Sequence, residues 1–94
     1  MKEYFVYILS NKRRTAIYIG VTYSLTRRSL EHLAKQNPNS FTARYNLDEL
    51  LYYELFASRN DAIAREKQLK KWGREKKNEL IKLQNPEMKN LLVD

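Results

Sequence analysis

Cysteine is absent from this sequence of 94 residues, and glycine, proline and histidine are scarce, at two, two and one. Without cysteine there is neither a disulfide framework nor a thiolate metal site. His32 is the single histidine, which argues against a multi-histidine metal cluster. Any metal would be a hard ion such as Mg²⁺, held by carboxylate and water. Gly20 and Gly73 cannot build a phosphate-cradling glycine loop, and no serine sits in a glycine-flanked elbow. The longest uncharged stretch, Thr15 to Thr26, is too short for the ~20 apolar residues of a spanning helix. Met1-Lys2-Glu3, followed by an apolar run that meets Lys12-Arg13-Arg14, does not read as a signal peptide. The expected location is cytoplasmic, with no membrane partner.

Acidic residues are outnumbered. Eighteen Lys+Arg stand against eleven Asp+Glu, a net charge of +7. Long-range attraction then points to a polyanion, nucleic acid or anionic lipid, although merely solvated basic proteins share this composition. A chain of this length buries roughly 60–70% of its unfolded surface, enough for one core. The expectation is one domain over 1–94, with a core at about 3–84 and a C-terminal tail at 85–94.

Residues 3–9 and 16–22 are rich in Tyr, Val, Ile and Phe and flank the polar segment Ser10–Arg14, the pattern of a β-hairpin. Strand alternation puts Phe5, Tyr7 and Leu9 on one face and Val6 and Ile8 on the other. Tyr18 and Gly20 share a face opposite Ile17, Ile19 and Val21, with Gly20 leaving space for a small pocket. Ser24 is placed to cap a helix running to about Gln36, which carries Arg28 and His32 together at one edge. Phe41 to Asn46 reads as a loop, and Glu49–Phe56 as a third strand. Ser58 or Asn60 caps a helix from Asp61 to about Trp72, and a further helix spans Arg74 to Gln84. The order ββαβαα gives an α+β fold, a small antiparallel sheet flanked by helices.

Glu66 falls between Ala62, Ile63 and Leu69 on the inward face of its helix. A carboxylate there is costly unless it is paired, hydrogen-bonded or bound to a cation. It either binds a metal or reaches out to a neighbouring Lys or Arg. Lys67, Lys70, Lys71 and Arg74 follow helical spacing and form one basic stripe if the helix continues through Gly73. Such a stripe suits a phosphate backbone or is a solvated face. The strand tyrosines either fill the core, stack with bases, or move a proton with help from a cation.

Val6-Tyr7-Ile8, then Tyr18-Ile19-Gly20, then Leu25-Thr26-Arg27-Arg28 with His32, resemble the GIY-YIG nuclease domain. The run Ala62 to Trp72 resembles that of its small stand-alone bacterial members. The resemblance spans essentially the whole chain, and it implies phosphodiester cleavage with one divalent ion, Mg²⁺ or Mn²⁺. By motif position Tyr7 and Tyr18 would be the paired tyrosines, one of which helps deprotonate the attacking water. Arg28 would clamp the scissile phosphate, with Arg27 as its substitute, and His32 would assist. Glu66 would be the metal ligand. The first motif lacks its glycine, reading Phe5-Val6-Tyr7, and Asn78 is the candidate for the family's late asparagine. Lys67, Lys70, Lys71 and Arg74 would follow the nucleic-acid backbone. The implied function is a structure-selective endonuclease of repair or recombination type, acting on DNA ahead of RNA, as a monomer or weak homodimer. The rivals are a nucleic-acid-binding module without cleavage and a protein-interaction domain whose basic face serves solubility.

Overall fold

Tyr4–Ser10 forms the central strand, β1, of a three-stranded sheet. β2 (Ile17–Thr22) and β3 (Glu49–Phe56) lie antiparallel to it on either side, in the order β2-β1-β3. The computed structural model describes residues 3–37 and 39–92. The strands stand where the sequence places them, with ends moved by about a residue.

The apolar run of β1 follows from its position. Val6 to Ser10 are all buried, because layers cover both faces of the strand. Val6 and Ile8 join Ile19, Leu51 and Tyr52 in one core, against Ala62, Leu69 and Ile81 of the later helices. Tyr7 and Leu9 join Leu47 and Leu50 in a second core beneath Tyr18, Leu25, Leu30, Leu91 and Leu92. The alternation expected for both hairpin strands is therefore realised.

Helix α1 is Arg27–Gln36, and its cap is Thr26 rather than the expected Ser24. The Thr26 hydroxyl accepts the Ser29 amide at 3.0 Å, while the Ser24 hydroxyl pairs with that of Ser29 at 2.9 Å. A short helix, α2 (Phe41–Arg44), occupies part of the segment expected to be a loop. Ser40 caps it, accepting the Ala43 amide at 3.3 Å, and Asn46 leaves it in the left-handed region at φ 56°. Helix α3, Arg59–Lys70, begins two residues before the expected Asp61 because Ser58, not Asn60, is its cap. It also stops short of Trp72. The Lys71 and Trp72 amides fold back onto the carbonyls of Gln68 and Leu69, and Gly73 becomes the N-cap of α4 (Arg74–Gln84). The basic stripe through Lys67, Lys70, Lys71 and Arg74 is thus broken, since Arg74 belongs to a different helix. Among the described residues no helix is long and apolar enough to cross a membrane.

Residues 85–92 pack against the outer edge of β3. The Gln84 side chain imitates a strand, accepting the Tyr53 amide at 3.1 Å and donating to its carbonyl at 2.9 Å. Asn85, buried, donates to Leu51 O at 3.0 Å, and the Leu91 amide donates to Leu50 O at 2.7 Å. Pairing an edge this way removes a template for aggregation. The last two positions of the expected tail lie outside the described residues.

Candidate active site

The site is built on the register of the hairpin. Tyr7 lies directly opposite Gly20, so both point to the same face, and Tyr18 stands two residues along β2 on that face. With no side chain at Gly20, the Tyr7 phenol lies across it. A Cβ at position 20 would meet Tyr7 Oη at 2.6 Å, Tyr7 Cζ at 2.7 Å and Tyr18 Cε2 at 2.8 Å. The two rings are 6.2 Å apart, tilted by 47°. Gly20 is therefore the cradle that sets the tyrosine pair.

α3 brings the charge. Glu66 sits at the edge of the inward face, its side chain 18% exposed, with Lys70 Nζ 3.4 Å from Oε2. The Lys70 ammonium also lies 5.9 Å from the centre of the Tyr18 ring. Burial pushes the Tyr7 phenol above its ordinary range, and the nearby acidic groups of Tyr18 and Glu66 push it further the same way. Tyr7 thus keeps its proton, chiefly because it is buried. Tyr7, Tyr18, Glu66 and Lys70 form one cluster.

Among the described residues no group of three or more His, Cys, Asp or Glu side chains is placed to hold a metal. Glu66 offers one hard oxygen ligand. A lone carboxylate completed by water and phosphate oxygens is a donor set that suits Mg²⁺, so the residues fit a single weakly held divalent ion.

The remaining sequence candidates stand apart from this cluster. Arg28 and His32 are exposed on α1 and line a hollow with Ser29, Glu31 and Lys35. The His32 ring meets the Gln36 amide at 3.2 Å. α1 starts with Arg27 and Arg28 and has no acid in its first turn. Two cations at the positive end of a helix repel its dipole, a cost that a bound anion offsets. Asn78 accepts from Arg74 Nε at 3.2 Å, and Arg74 in turn donates to Arg14 O at 2.6 Å, so this pair braces the hairpin loop. Lys67 and Lys71 are exposed. The structure joins Lys70 to the carboxylate, the neighbouring-cation alternative of the sequence reading, rather than leaving it in a phosphate-tracking stripe. The i, i+4 spacing from Glu66 to Lys70 was the available signal.

The profile of the GIY-YIG catalytic domain matches residues 3–79. The chain belongs to the GIY-YIG family. A UPF0213 protein from Syntrophus aciditrophicus is 34% identical over 87 residues, covering 93% of this chain and 98% of the relative. A UPF0213 protein from Natronomonas pharaonis is 34% identical over 79 residues, covering 84% and 91%. The solution NMR structure of a UPF0213 protein from Bacillus halodurans matches with a TM-score of 0.58 at 27% identity, covering 94% of this chain and 92% of that one. The GIY-YIG chain is thus similar over nearly its full length to small proteins of this kind.

Proposed function

We propose that this GIY-YIG chain is a divalent-metal-dependent endonuclease that hydrolyses phosphodiester bonds in DNA, selecting its substrate by structure. The observation that carries the reading is the Tyr7 phenol laid over Gly20, beside Tyr18 and within the field of Glu66. A core-filling tyrosine has no need of a half-buried carboxylate and an ammonium next to it.

Glu66 is the residue that would hold the ion, Mg²⁺ or Mn²⁺, whose chemistry is to stabilise charge on the departing oxygen. Lys70 neutralises Glu66 in the metal-free protein and is free to turn to a phosphate oxygen. Burial is the largest cause that keeps Tyr7 protonated, so the tyrosine pair helps deprotonate the attacking water only where a neighbouring cation eases the transfer. Arg28 clamps the phosphate, Arg27 stands beside it, and His32 assists from the same helix. Asn78 acts through Arg74.

The test is an assay with labelled single-stranded, duplex and branched DNA and with RNA, with Mg²⁺, Mn²⁺ or EDTA. Wild type is expected to nick DNA in the metal lanes. Tyr7→Phe is expected to lose about 10²–10⁴-fold, the range of a lost proton-transfer group, and Glu66→Ala to be inactive with an unchanged circular dichroism spectrum. One observation favours a second reading, a binding module without cleavage: Arg28 and His32 line a hollow separate from the one lined by Tyr7 and Tyr18. Salt-sensitive binding with no nicking in any lane would leave that reading in place of the nuclease.

A further inference from the structure

The face that carries Tyr7 extends beyond the tyrosine pair. Tyr7 pairs with Gly20 on one side and with Tyr53 of β3 on the other, so the three form one row across the sheet. The next row is Thr22, Phe5 and Leu55. Phe5 and Tyr53 meet edge to face, 6.1 Å apart at 69°. Alongside them opens a cavity of about 610 Å³, lined by Phe5, Tyr23, Leu25, Arg27, Tyr53 and Leu92 among others. Tyr23 and Tyr53 remain 71% and 39% exposed, although rings of this size are normally used to fill a core. The volume falls within the few hundred to 1,000 Å³ typical of small-molecule sites.

We propose that this cavity is a subsite for an unpaired nucleobase next to the phosphate held at Tyr7. The proposal rests on the nucleic-acid reading above and names what the substrate must present. The walls offer aromatic faces for stacking, the hydroxyl-bearing residues Ser24 and Thr26, and one guanidinium. Among the described residues no carboxylate lines the cavity. A second copy of the chain fits less well, because two-fold pairing over this patch sets Arg27 near Arg27 between molecules of charge +7. Tyr53 is the cross-strand neighbour of Tyr7 on one face, so the cavity adjoins the row of the sheet that carries Tyr7. An intact duplex keeps its bases stacked and cannot fill the cavity. A gap, bulge, flap or single strand can, which gives structure selectivity a physical basis.

The experiment measures binding without cleavage, in EDTA, by fluorescence anisotropy across a KCl series. The probes are a paired duplex, the same duplex with a two-nucleotide bulge, and a single strand carrying 2-aminopurine. Wild type is expected to prefer the unpaired probes and to quench the 2-aminopurine. Tyr53→Ala is expected to lose about 10-fold on the unpaired probes alone, as the removal of one stacking ring does. Its salt dependence should be unchanged, and Tyr53→Phe should restore binding. Tyr23→Ala repeats the test at the more exposed ring. An equal loss on paired and unpaired probes, or no loss in either alanine variant, overturns the subsite and leaves the nuclease reading standing. No binding of any probe at low salt overturns both. Sedimentation showing a dimer that Tyr53→Ala dissolves assigns the patch to a second copy and overturns the subsite alone.

Discussion

At the scale of single residues, Gly20 controls the site although it has no functional group. The hypothetical Cβ distances of 2.6–2.8 Å involve the hydroxyl and ring carbon of Tyr7 and a ring carbon of Tyr18. Tyr7 belongs to a buried cluster and Tyr18 packs against it, so relieving the contacts means shifting packed rings. Gly20→Ala is expected to cost about 1–3 kcal/mol in stability, the usual penalty for overpacking. It should also lower cleavage, because the phenol is displaced from Glu66. Tyr7→Phe does not relieve the Tyr7 contacts, since Cζ remains, whereas Tyr7→Ala removes both and leaves only that with Tyr18 Cε2. Chemical denaturation of Gly20→Ala, Tyr7→Ala and the double variant measures the coupling. The double variant should be more stable than the sum of the single losses predicts, and strict additivity would refute the contact.

At the scale of elements, β3 and α3 are joined through Glu54. Arg65 donates to it from Nε at 2.9 Å and from Nη2 at 3.0 Å, and the Tyr52 hydroxyl donates to the same carboxylate. Trp72 lies between the Arg65 guanidinium, 5.3 Å from its ring centre, and Lys76 Nζ at 4.1 Å. Burial alone would raise the Glu54 pKa, but the Arg65 and Tyr52 hydrogen bonds outweigh it and hold the group below its ordinary value. A carboxylate depressed in the folded state stabilises the fold above its unfolded pKa of about 4.3, and this contribution is lost as pH falls through the folded value. Thermal melts between pH 7 and pH 3 should therefore show stability declining in acid, and Glu54→Gln should be less stable at pH 7 with a flatter acid limb. An unchanged limb would remove Glu54 as its source. The strands were legible because Tyr, Val and Ile alternate with a clear period of two, and Glu66 stood out because Ala62 and Leu69 flank it. α2 was not, since a helix of four residues has no periodicity to read. The break before Arg74 was legible because Gly73 interrupts the helical pattern, and only the end of α3 differs, at Lys70 rather than about Trp72. The place of Tyr53 beside Tyr7 was not legible, because it is fixed by a strand pairing that carries an irregularity between Ile8 and Leu9.

At the scale of the whole molecule, the charge of +7 is not all available to a partner. Arg14 is tied to Glu49 at 2.7 Å and to Met88 O at 2.9 Å, Arg65 to Glu54, and Arg74 to Arg14 O and Asn78. These arginines brace the hairpin loop, β3 and the C-terminal segment. Arg28 is exposed at the N-terminal end of α1 and makes no such brace. Arg28→Gln and Arg74→Gln remove the same unit of charge, so a mere field effect would alter DNA affinity equally in both. The structure separates them. Arg28→Gln is expected to flatten the plot of log affinity against log salt by about 0.9, one phosphate contact on duplex DNA, at unchanged melting temperature. Arg74→Gln should leave that slope as it is while losing about 1–3 kcal/mol of stability, the cost of stranding hydrogen-bond partners of a charged group. Binding titrations from 50 to about 200 mM KCl, paired with thermal melts, read both quantities. Equal slopes in the two variants would mean that the basic residues act only through net charge, and that the Arg28 end of α1 is no phosphate clamp.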